Sequence, residues 1–170
     1  WPAIKASCIL SGARTLTGAL VPLAGTAPTN VGGLFVSGDY DRKTGLVGNG
    51  STKWLNSNRA NDADPQNNAH LSCFVSTIGT DNTWYMGCNG ISGVSPAGTG
   101  MVLQTRGADS DIPRVGSISE AGFMGATRST GTAMTRRFAS STQTVTYNST
   151  STNTITYAVF GRNTSGSVAS

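Results

Sequence analysis

Short segments in which apolar and polar residues alternate constrain the fold of this chain more than any other feature. Leu71, Cys73 and Val75 occupy alternate positions of HLSCFVS, and TITYAVFGRN repeats the pattern. A period of two residues places alternate side chains on opposite faces of a β-strand. Such segments recur at intervals of about 10–12 residues between turns rich in Gly, Asn and Ser, which is typical of a sandwich or barrel. SSTQTVTYNSTSTNTITYAVFGRN predicts a hairpin that has NSTSTN as its loop.

Composition favours an all-β fold over long helices. Charged residues make up 12% of the 170 residues, Glu120 is the single glutamate, and there are 22 glycines. Long helices are built mainly from Ala, Leu, Glu, Lys and Gln, whereas Thr, Val and aromatic residues favour strands. The length suits one domain with one hydrophobic core. We therefore expect an antiparallel β-sandwich.

One stretch at the N-terminus, WPAIKASCILSGARTL, has the features of a helix. Ile4, Cys8 and Ile9 recur at helical spacing. Pro2 suits the first turn of a helix, and Gly12 suits its C-terminal cap. The sequence therefore predicts a short N-terminal helix and an extended arm over residues 1–30, followed by a β-sandwich domain over residues 31–170.

Charge and cysteine spacing bear on the classes of partner. The positive charges behind the net charge of +4 are dispersed apart from short pairs such as Arg136 and Arg137, so we expect no nucleic acid partner. The three cysteines lack the spacing of a zinc site. Cys73 and Cys88 are expected to be buried thiols, with a bridge between them as the alternative if their strands are adjacent. No apolar run reaches the roughly 18 residues of a membrane span, so no membrane insertion is expected.

Four stretches of the sequence together resemble a known domain family. They are DYDRKTGLVGNGSTKWLNSNRANDADPQNNAHLSCFVS, GFMGATRS, SSTQTVTYNST and TYAVFGRN, spread over residues 36–163. They resemble the concanavalin A-like (laminin-G-like) jelly-roll domain of structural proteins of tailed bacteriophages, notably those that infect cyanobacteria. In the most specific stretch, GLVGNGSTKWLN, a strand ends at a glycine-containing turn and the next brings a residue such as Trp54 into the core. The resemblance implies a jelly roll on the surface of a virion, in contact with other virion proteins.

Catalytic residues are not indicated by the sequence. Glycosidases of the concanavalin-like fold use two paired carboxylates, which on a strand appear at alternate positions. Glu120 has no acidic residue two positions away, and Asp109 and Asp111 lie in a proline-containing stretch that is typical of a loop. His70 is the only base that titrates near neutral pH, and no Gly-x-Ser-x-Gly motif is present. We therefore predict a non-enzymatic protein, in which His70 is a hydrogen-bonded residue at the entrance of a strand.

The polar stretch between residues 56 and 68 is a candidate calcium loop. Asp62, Asp64 and Asn67 offer carboxylate and amide oxygens, and Ca²⁺ takes six to eight oxygen ligands. The spacing is not that of an EF-hand. Asp and Asn are also the usual residues of turns, where they bond to their own backbone. An Asx-rich connecting loop without an ion is the favoured interpretation, and no other cofactor is expected.

Glycan binding is the ligand chemistry that suits the aromatic residues best. Adjacent strand residues point to opposite faces, so either Trp84 or Tyr85 faces outward and can stack on a sugar. Asn82 and Arg106 are the candidate hydrogen-bonding partners. The expected function is a tail-fibre or tail-tip adhesion domain that forms homo-oligomers and binds host-surface polysaccharide. One alternative is a capsid decoration, cement or baseplate protein without a ligand, and the other, disfavoured, is a glycan hydrolase.

Overall fold

The computed structural model of the protein describes residues 3–79, 83–89, 92–98, 100–107 and 120–169. Within these ranges the chain forms sixteen strands and one short α-helix, α1 (Leu16–Ala19), so the predicted all-β class is confirmed. The strands, in chain order, are β1 (Ser7–Cys8), β2 (Pro22–Ala24), β3 (Thr29–Asn30), β4 (Tyr40–Asp41), β5 (Gly45–Leu46), β6 (Leu55–Ala60), β7 (Ala69–Val75), β8 (Met86–Cys88), β9 (Ser92–Ala97), β10 (Gly100–Gln104), β11 (Gly122–Arg128), β12 (Ala133–Phe138), β13 (Ser141–Thr146), β14 (Thr156–Val159), β15 (Arg162–Thr164) and β16 (Ser167–Ala169). Short 3-10 turns at Val31–Gly33, Ser37–Asp39 and Asn61–Ala63 join some of them.

Two large sheets form the body of the molecule. A four-stranded antiparallel sheet has the order β13-β12-β11-β7. An eight-stranded sheet has the order β10-β9-β8-β14-β6-β3, with β15 pairing in parallel with β8 and antiparallel with β16. Two small sheets, β1-β2 and β4-β5, lie in the N-terminal part of the chain. Among the described residues no helix has the length and apolar character needed to cross a membrane.

The main hydrophobic core lies between the two large sheets. Leu71, Met124 and Phe138 from the four-stranded sheet pack in one cluster with Val94 and Leu103 from the eight-stranded sheet. Full burial of a side chain of this size stabilises the fold by about 1.5–3 kcal/mol. The alternation that predicted this packing is confirmed, because Leu71 and its alternate neighbours contact the core while the intervening residues of β7 face away from it.

All three cysteines are free thiols. Cys73 lies on β7 in the four-stranded sheet and Cys88 lies on β8 in the eight-stranded sheet, so their strands are not neighbours in one sheet. Both side chains pack in the main core, as predicted for buried thiols.

A second cluster holds the N-terminal part of the chain against the body. Phe35, Leu46 and Leu55 are buried together, and Leu16 and Leu20 around α1 pack against them. The ring centroids of Phe35 and Phe160 lie 5.3 Å apart at an angle of 55°. The described part of the predicted N-terminal arm, residues 3–30, therefore shares a core with later parts of the sequence and contributes β3 to the larger sheet.

The helix predicted over the first sixteen residues is not formed. Residues 3–15 are irregular apart from β1, and the single helix begins only at Leu16, after Thr15 caps it by accepting a hydrogen bond from the Gly18 N–H. Backbone groups of this stretch bond to distant residues instead of to one another. The Gly12 N–H donates to the Arg42 carbonyl at 2.7 Å, and the Leu10 carbonyl accepts from the Leu46 N–H at 2.9 Å. Tertiary pairing therefore overrides a weak helical pattern.

The predicted hairpin over residues 140–163 is also not formed. Strand β13 pairs with β12, whereas β14 pairs with β6 and β8 in the opposite sheet. The segment NSTSTN is therefore a crossover between the sheets, and Thr150 within it donates its N–H to the Arg106 carbonyl at 2.8 Å. Two strands that are neighbours in sequence join different sheets.

Candidate functional site

Trp84 is the outward member of the predicted aromatic pair, and its ring is already in contact with the protein. The indole lies against Gly93 and Gly87, which are opposite each other in β9 and β8. The guanidinium carbon of Arg162 lies 4.5 Å from the centroid of the Trp84 ring, which is a cation–π contact. Trp84 is half-buried as a result. Arg162 therefore covers a surface of the ring on which a sugar would stack.

Tyr85 is the inward member of the same pair. Its ring packs against the main core, and its hydroxyl accepts a hydrogen bond from the Gly79 N–H at 2.8 Å. Burial raises the pKa of this phenol, so it stays neutral at physiological pH. Asn82, the third candidate of the group, lies outside the described residues.

Arg106, the fourth glycan-binding candidate, lies in the interior and is 1% exposed. Its Nη1 donates to the Tyr157 hydroxyl at 3.1 Å, and its Nη2 donates to the Asp64 carbonyl at 3.0 Å. The guanidinium therefore joins the end of β10 to the loop after β6. Arg106 is not part of the surface around Trp84.

Two more arginines, Arg128 and Arg136, are fully buried. Arg128 donates from Nε to the Thr105 carbonyl at 3.0 Å and from Nη1 to the Tyr147 carbonyl at 2.8 Å. Burial is the main cause that lowers the pKa of Arg128. Such a side chain stays charged in proteins, so these hydrogen bonds are charge-assisted. Arg128 thus ties β11 of the four-stranded sheet to the residue that follows β10 of the eight-stranded sheet.

Two of the three candidate calcium ligands, Asp64 and Asn67, bond to other groups of the protein. Asp64 forms an ion pair with Arg59, in which Nη2 and Oδ1 are 2.5 Å apart. The Asn67 amide oxygen accepts from the Ser149 hydroxyl at 2.6 Å, and Asp62 is exposed. In the part of the chain that the structure describes, no three His, Cys, Asp or Glu side chains are grouped so as to hold a metal ion. The ion-free loop and its alternative, calcium binding at these three residues, both stay predictions.

The outer surface of the four-stranded sheet carries an exposed aromatic pair. Phe74 on β7 is opposite Phe123 on β11, and the two side chains are 74% and 40% exposed. The next positions of these strands on the same side hold the polar residues Ser72, His70 and Thr127. We call this surface, formed by the two phenylalanines and the three polar residues, the aromatic face.

Hydrogen bonds order the polar half of the aromatic face. The His70 Nδ1 lies 2.7 Å from the Thr127 hydroxyl, and its Nε2 lies 2.9 Å from the Ser72 hydroxyl. Partial shielding from water lowers the pKa of His70, so the imidazole is neutral at pH 7. The prediction that His70 is a hydrogen-bonded residue at the start of a strand is confirmed.

The Ser72 hydroxyl and the His70 ring lie as close together as the nucleophile and the base of a serine hydrolase. The third residue of the group, Thr127, differs from the third residue of a catalytic triad. In a serine hydrolase a carboxylate orients the histidine and stabilises the imidazolium that forms. Here Thr127 supplies a neutral hydroxyl, which cannot stabilise that cation to the same extent. His70 and Thr127 are exposed, Ser72 is half-buried, and the three side chains lie on one side of the sheet. Their arrangement suits hydrogen bonding to a ligand better than acyl transfer.

Comparison of the chain with protein-family models, with curated proteins and with solved structures finds no match. The concanavalin-like resemblance therefore stays a prediction. Among the described residues, the aromatic face is the most exposed aromatic surface.

Only part of the aromatic face could have been predicted from the sequence. Alternation in HLSCFVS places Phe74 on the side of β7 away from the core, which is the signal that could have identified it. Phe123 gives no such signal, because FMGATR does not alternate apolar and polar residues clearly. Only the register of β7 with β11 brings the two rings together.

Proposed function

We propose that this chain is a non-enzymatic adhesion domain on the surface of a bacteriophage virion, of tail-fibre or tail-tip type, with a concanavalin-like jelly-roll fold. Its ligand is a host-surface glycan, which binds at the aromatic face. The observation that carries this proposal is the pairing of Phe74 with Phe123 on an open sheet, 74% and 40% exposed, beside a hydrogen-bonded polar row.

The chemistry of the aromatic face matches that of a sugar ring. A pyranose has an apolar side of C–H groups, which packs on an aromatic ring, and equatorial hydroxyls that need hydrogen-bonding partners. Phe74 and Phe123 supply the apolar contact, worth about 25 cal/mol per Å² of apolar surface removed from water. His70, Ser72 and Thr127 can each donate or accept a hydrogen bond. Water can bridge the remaining hydroxyls on so open a surface.

The aromatic face suits this ligand better than the surface around Trp84. Arg162 lies over the Trp84 ring, so a sugar would first have to displace a cation–π contact. Phe74 needs no such displacement, since three quarters of its side chain is exposed.

A glycan array probed with the purified protein tests the proposal. The Phe74→Ala variant is expected to bind host polysaccharide about tenfold more weakly, because it loses the more exposed of the two phenylalanine rings. Leu23→Ala is the matched control, since Leu23 is 70% exposed on β2, outside the aromatic face, and its loss should leave binding unchanged. Absence of binding by the unaltered protein, or equal losses in both variants, would overturn the proposal.

A capsid decoration or baseplate protein without a ligand is the second candidate function. Seven of the nine large apolar side chains exposed in the described part of the chain belong to the N-terminal region, where they mark a protein contact: Ile4, Ile9, Val21, Leu23, Leu34, Val36 and Val47. If glycan binding is absent and Leu23→Ser prevents incorporation into the particle, this candidate replaces the adhesion domain.

A further inference from the structure

Strand β13 forms an open edge of the four-stranded sheet. Among the described strands it pairs only with β12, and five of its six residues are exposed. An open edge presents unpaired backbone N–H and C=O groups that can pair with another strand. We call this edge, formed by Ser141–Thr146, the β13 edge.

The β13 edge lacks the features by which proteins usually prevent edge pairing. Those features are charged side chains, proline, bulges and very short strands. The sequence STQTVT contains neither charge nor proline, and its register with β12 is continuous over all six residues. No charged residue occurs anywhere between residues 138 and 161. By contrast, β3 at one end of the eight-stranded sheet has only two residues.

One hydrogen bond fixes which backbone groups of the β13 edge point outward. The Tyr147 N–H donates to the Thr132 carbonyl at 2.8 Å, so this pair is a hydrogen-bonded pair of the antiparallel ladder. Such pairs alternate along a ladder. The residues that bond to β12 are therefore Val145, Gln143 and Ser141. The N–H and C=O groups of Thr142, Thr144 and Thr146 point away from β12.

We propose that two copies of the chain pair through their β13 edges, antiparallel and around a two-fold axis centred at Thr144. In this register Thr144 faces its own counterpart and Thr142 faces Thr146 of the other copy, so every outward N–H meets an outward C=O. The two four-stranded sheets then become one continuous sheet.

A second copy is the partner that this edge fits best. Antiparallel pairing about a two-fold axis matches the edge with itself, since each donor position has an acceptor position related to it by symmetry. On one side of the joined sheet the cross-strand neighbours are threonines, which pair favourably, and on the other side Gln143 faces Val145 of the other copy, so no like charges are opposed. The chain as a whole carries a net charge of +4, and pairing through this uncharged segment adds no repulsion between like charges at the contact.

Sedimentation of the intact protein over a range of concentrations tests this inference. The unaltered protein is expected to form a dimer, and Thr144→Pro is expected to be monomeric because it removes a central outward N–H without removing a bond to β12. Thr144→Val is the matched control. Both variants lose the bond between the Thr144 and Thr135 hydroxyls, but valine keeps the backbone donor, so its dimer should persist.

A second variant and a local measurement keep the test decisive if the proline variant does not fold. Thr144→Lys places two like charges opposite each other at the two-fold axis and should weaken the dimer by at least about tenfold. Amide hydrogen exchange should show protection of Thr142, Thr144 and Thr146 that increases with protein concentration. A protein that stays monomeric at every concentration, or a dimer that survives in Thr144→Lys, overturns the inference.

Discussion

Two glycines determine where Trp84 lies. A Cβ atom added at Gly93 would stand 2.4 Å from the Trp84 Cζ3 and 3.0 Å from the Met86 carbonyl oxygen, and one added at Gly87 would stand 2.9 Å from the Trp84 Cε3. Only glycine at both positions leaves room for an indole laid across the sheet.

Gly93→Ala is therefore expected to destabilise the fold by about 1–3 kcal/mol, since the added methyl group forces the indole and the strand apart. Chemical denaturation followed by circular dichroism measures this change. Gly38→Ala is the control, because a Cβ at Gly38 meets no atom within 4 Å, and its unfolding midpoint should not move. Equal effects of the two substitutions would contradict the packing described for Trp84.

The buried thiols make stability depend on pH in the alkaline range. Burial raises the pKa of Cys73 from its ordinary value of 9.0 to about 12, and that of Cys88 to about 11. Above pH 9 the unfolded chain releases the Cys73 proton while the folded chain retains it. The contribution of this thiol is complete below pH 9 and is lost as pH rises toward 12.

We expect the free energy of unfolding to fall above pH 9 by up to about 1.4 kcal/mol per pH unit for Cys73. Cys73→Ala should be less stable than the unaltered protein at pH 7 but should show a shallower decline between pH 9 and pH 11. Denaturation curves at a series of pH values measure both slopes. Identical slopes would mean that Cys73 is not shielded from water.

Some single-residue environments could not be predicted from the sequence. Phenylalanine is usually buried and arginine usually exposed, but here Phe74 is 74% exposed and Arg106 is 1% exposed. Burial of an arginine depends on carbonyl groups that only the fold brings near it, here those of distant residues such as Asp64. Alternation within one strand shows which residues share a face, but not whether that face is covered.

At the level of elements, local periodicity predicted strands well and their partners poorly. The alternating segments at β7 and β14 are strands, because a period of two residues is a property of the segment itself. Strand β9 was missed, since SGVSPA contains a proline and no alternation. The predicted hairpin of β13 with β14 is wrong, because pairing depends on which exposed edge each strand reaches. The sequence of the two strands and their loop does not specify that edge.

Side-chain contacts with other parts of the protein hold the loop that follows β6. Arg59 supplies a positive charge to Asp64, and the buried Asn61 amide donates to the Tyr157 hydroxyl at 2.9 Å. These contacts are made between protein groups, and they do not require a cation to hold the loop.

Removal of metal ions should therefore leave the melting temperature unchanged. Thermal unfolding in excess chelator and in millimolar Ca²⁺ compares the two states directly, because a ligand that binds only the folded protein raises its stability. Asp62→Asn provides a second comparison. A calcium-dependent rise in melting temperature that is absent in Asp62→Asn would establish a calcium site here.

At the level of the whole molecule, the proposed dimer sets the orientation of the binding surfaces. The aromatic face lies on the outer side of the same sheet whose edge is β13. Joining two copies edge to edge would place both aromatic faces on one continuous sheet, where they could contact one polysaccharide together. Linked sites of this kind can raise overall affinity by 10²–10⁴ over that of one site.

The position of β14 has a consequence for how the protein is made. This strand lies between β6 and β8, and it follows β6 by about 100 residues in the chain. A ribosome synthesises β6 and β8 long before β14 emerges, so the centre of the larger sheet stays open until residues 156–159 have been made. Both β6 and β8 therefore lack a partner strand on one side until β14 is made, and β14 is the strand that closes the centre of this sheet.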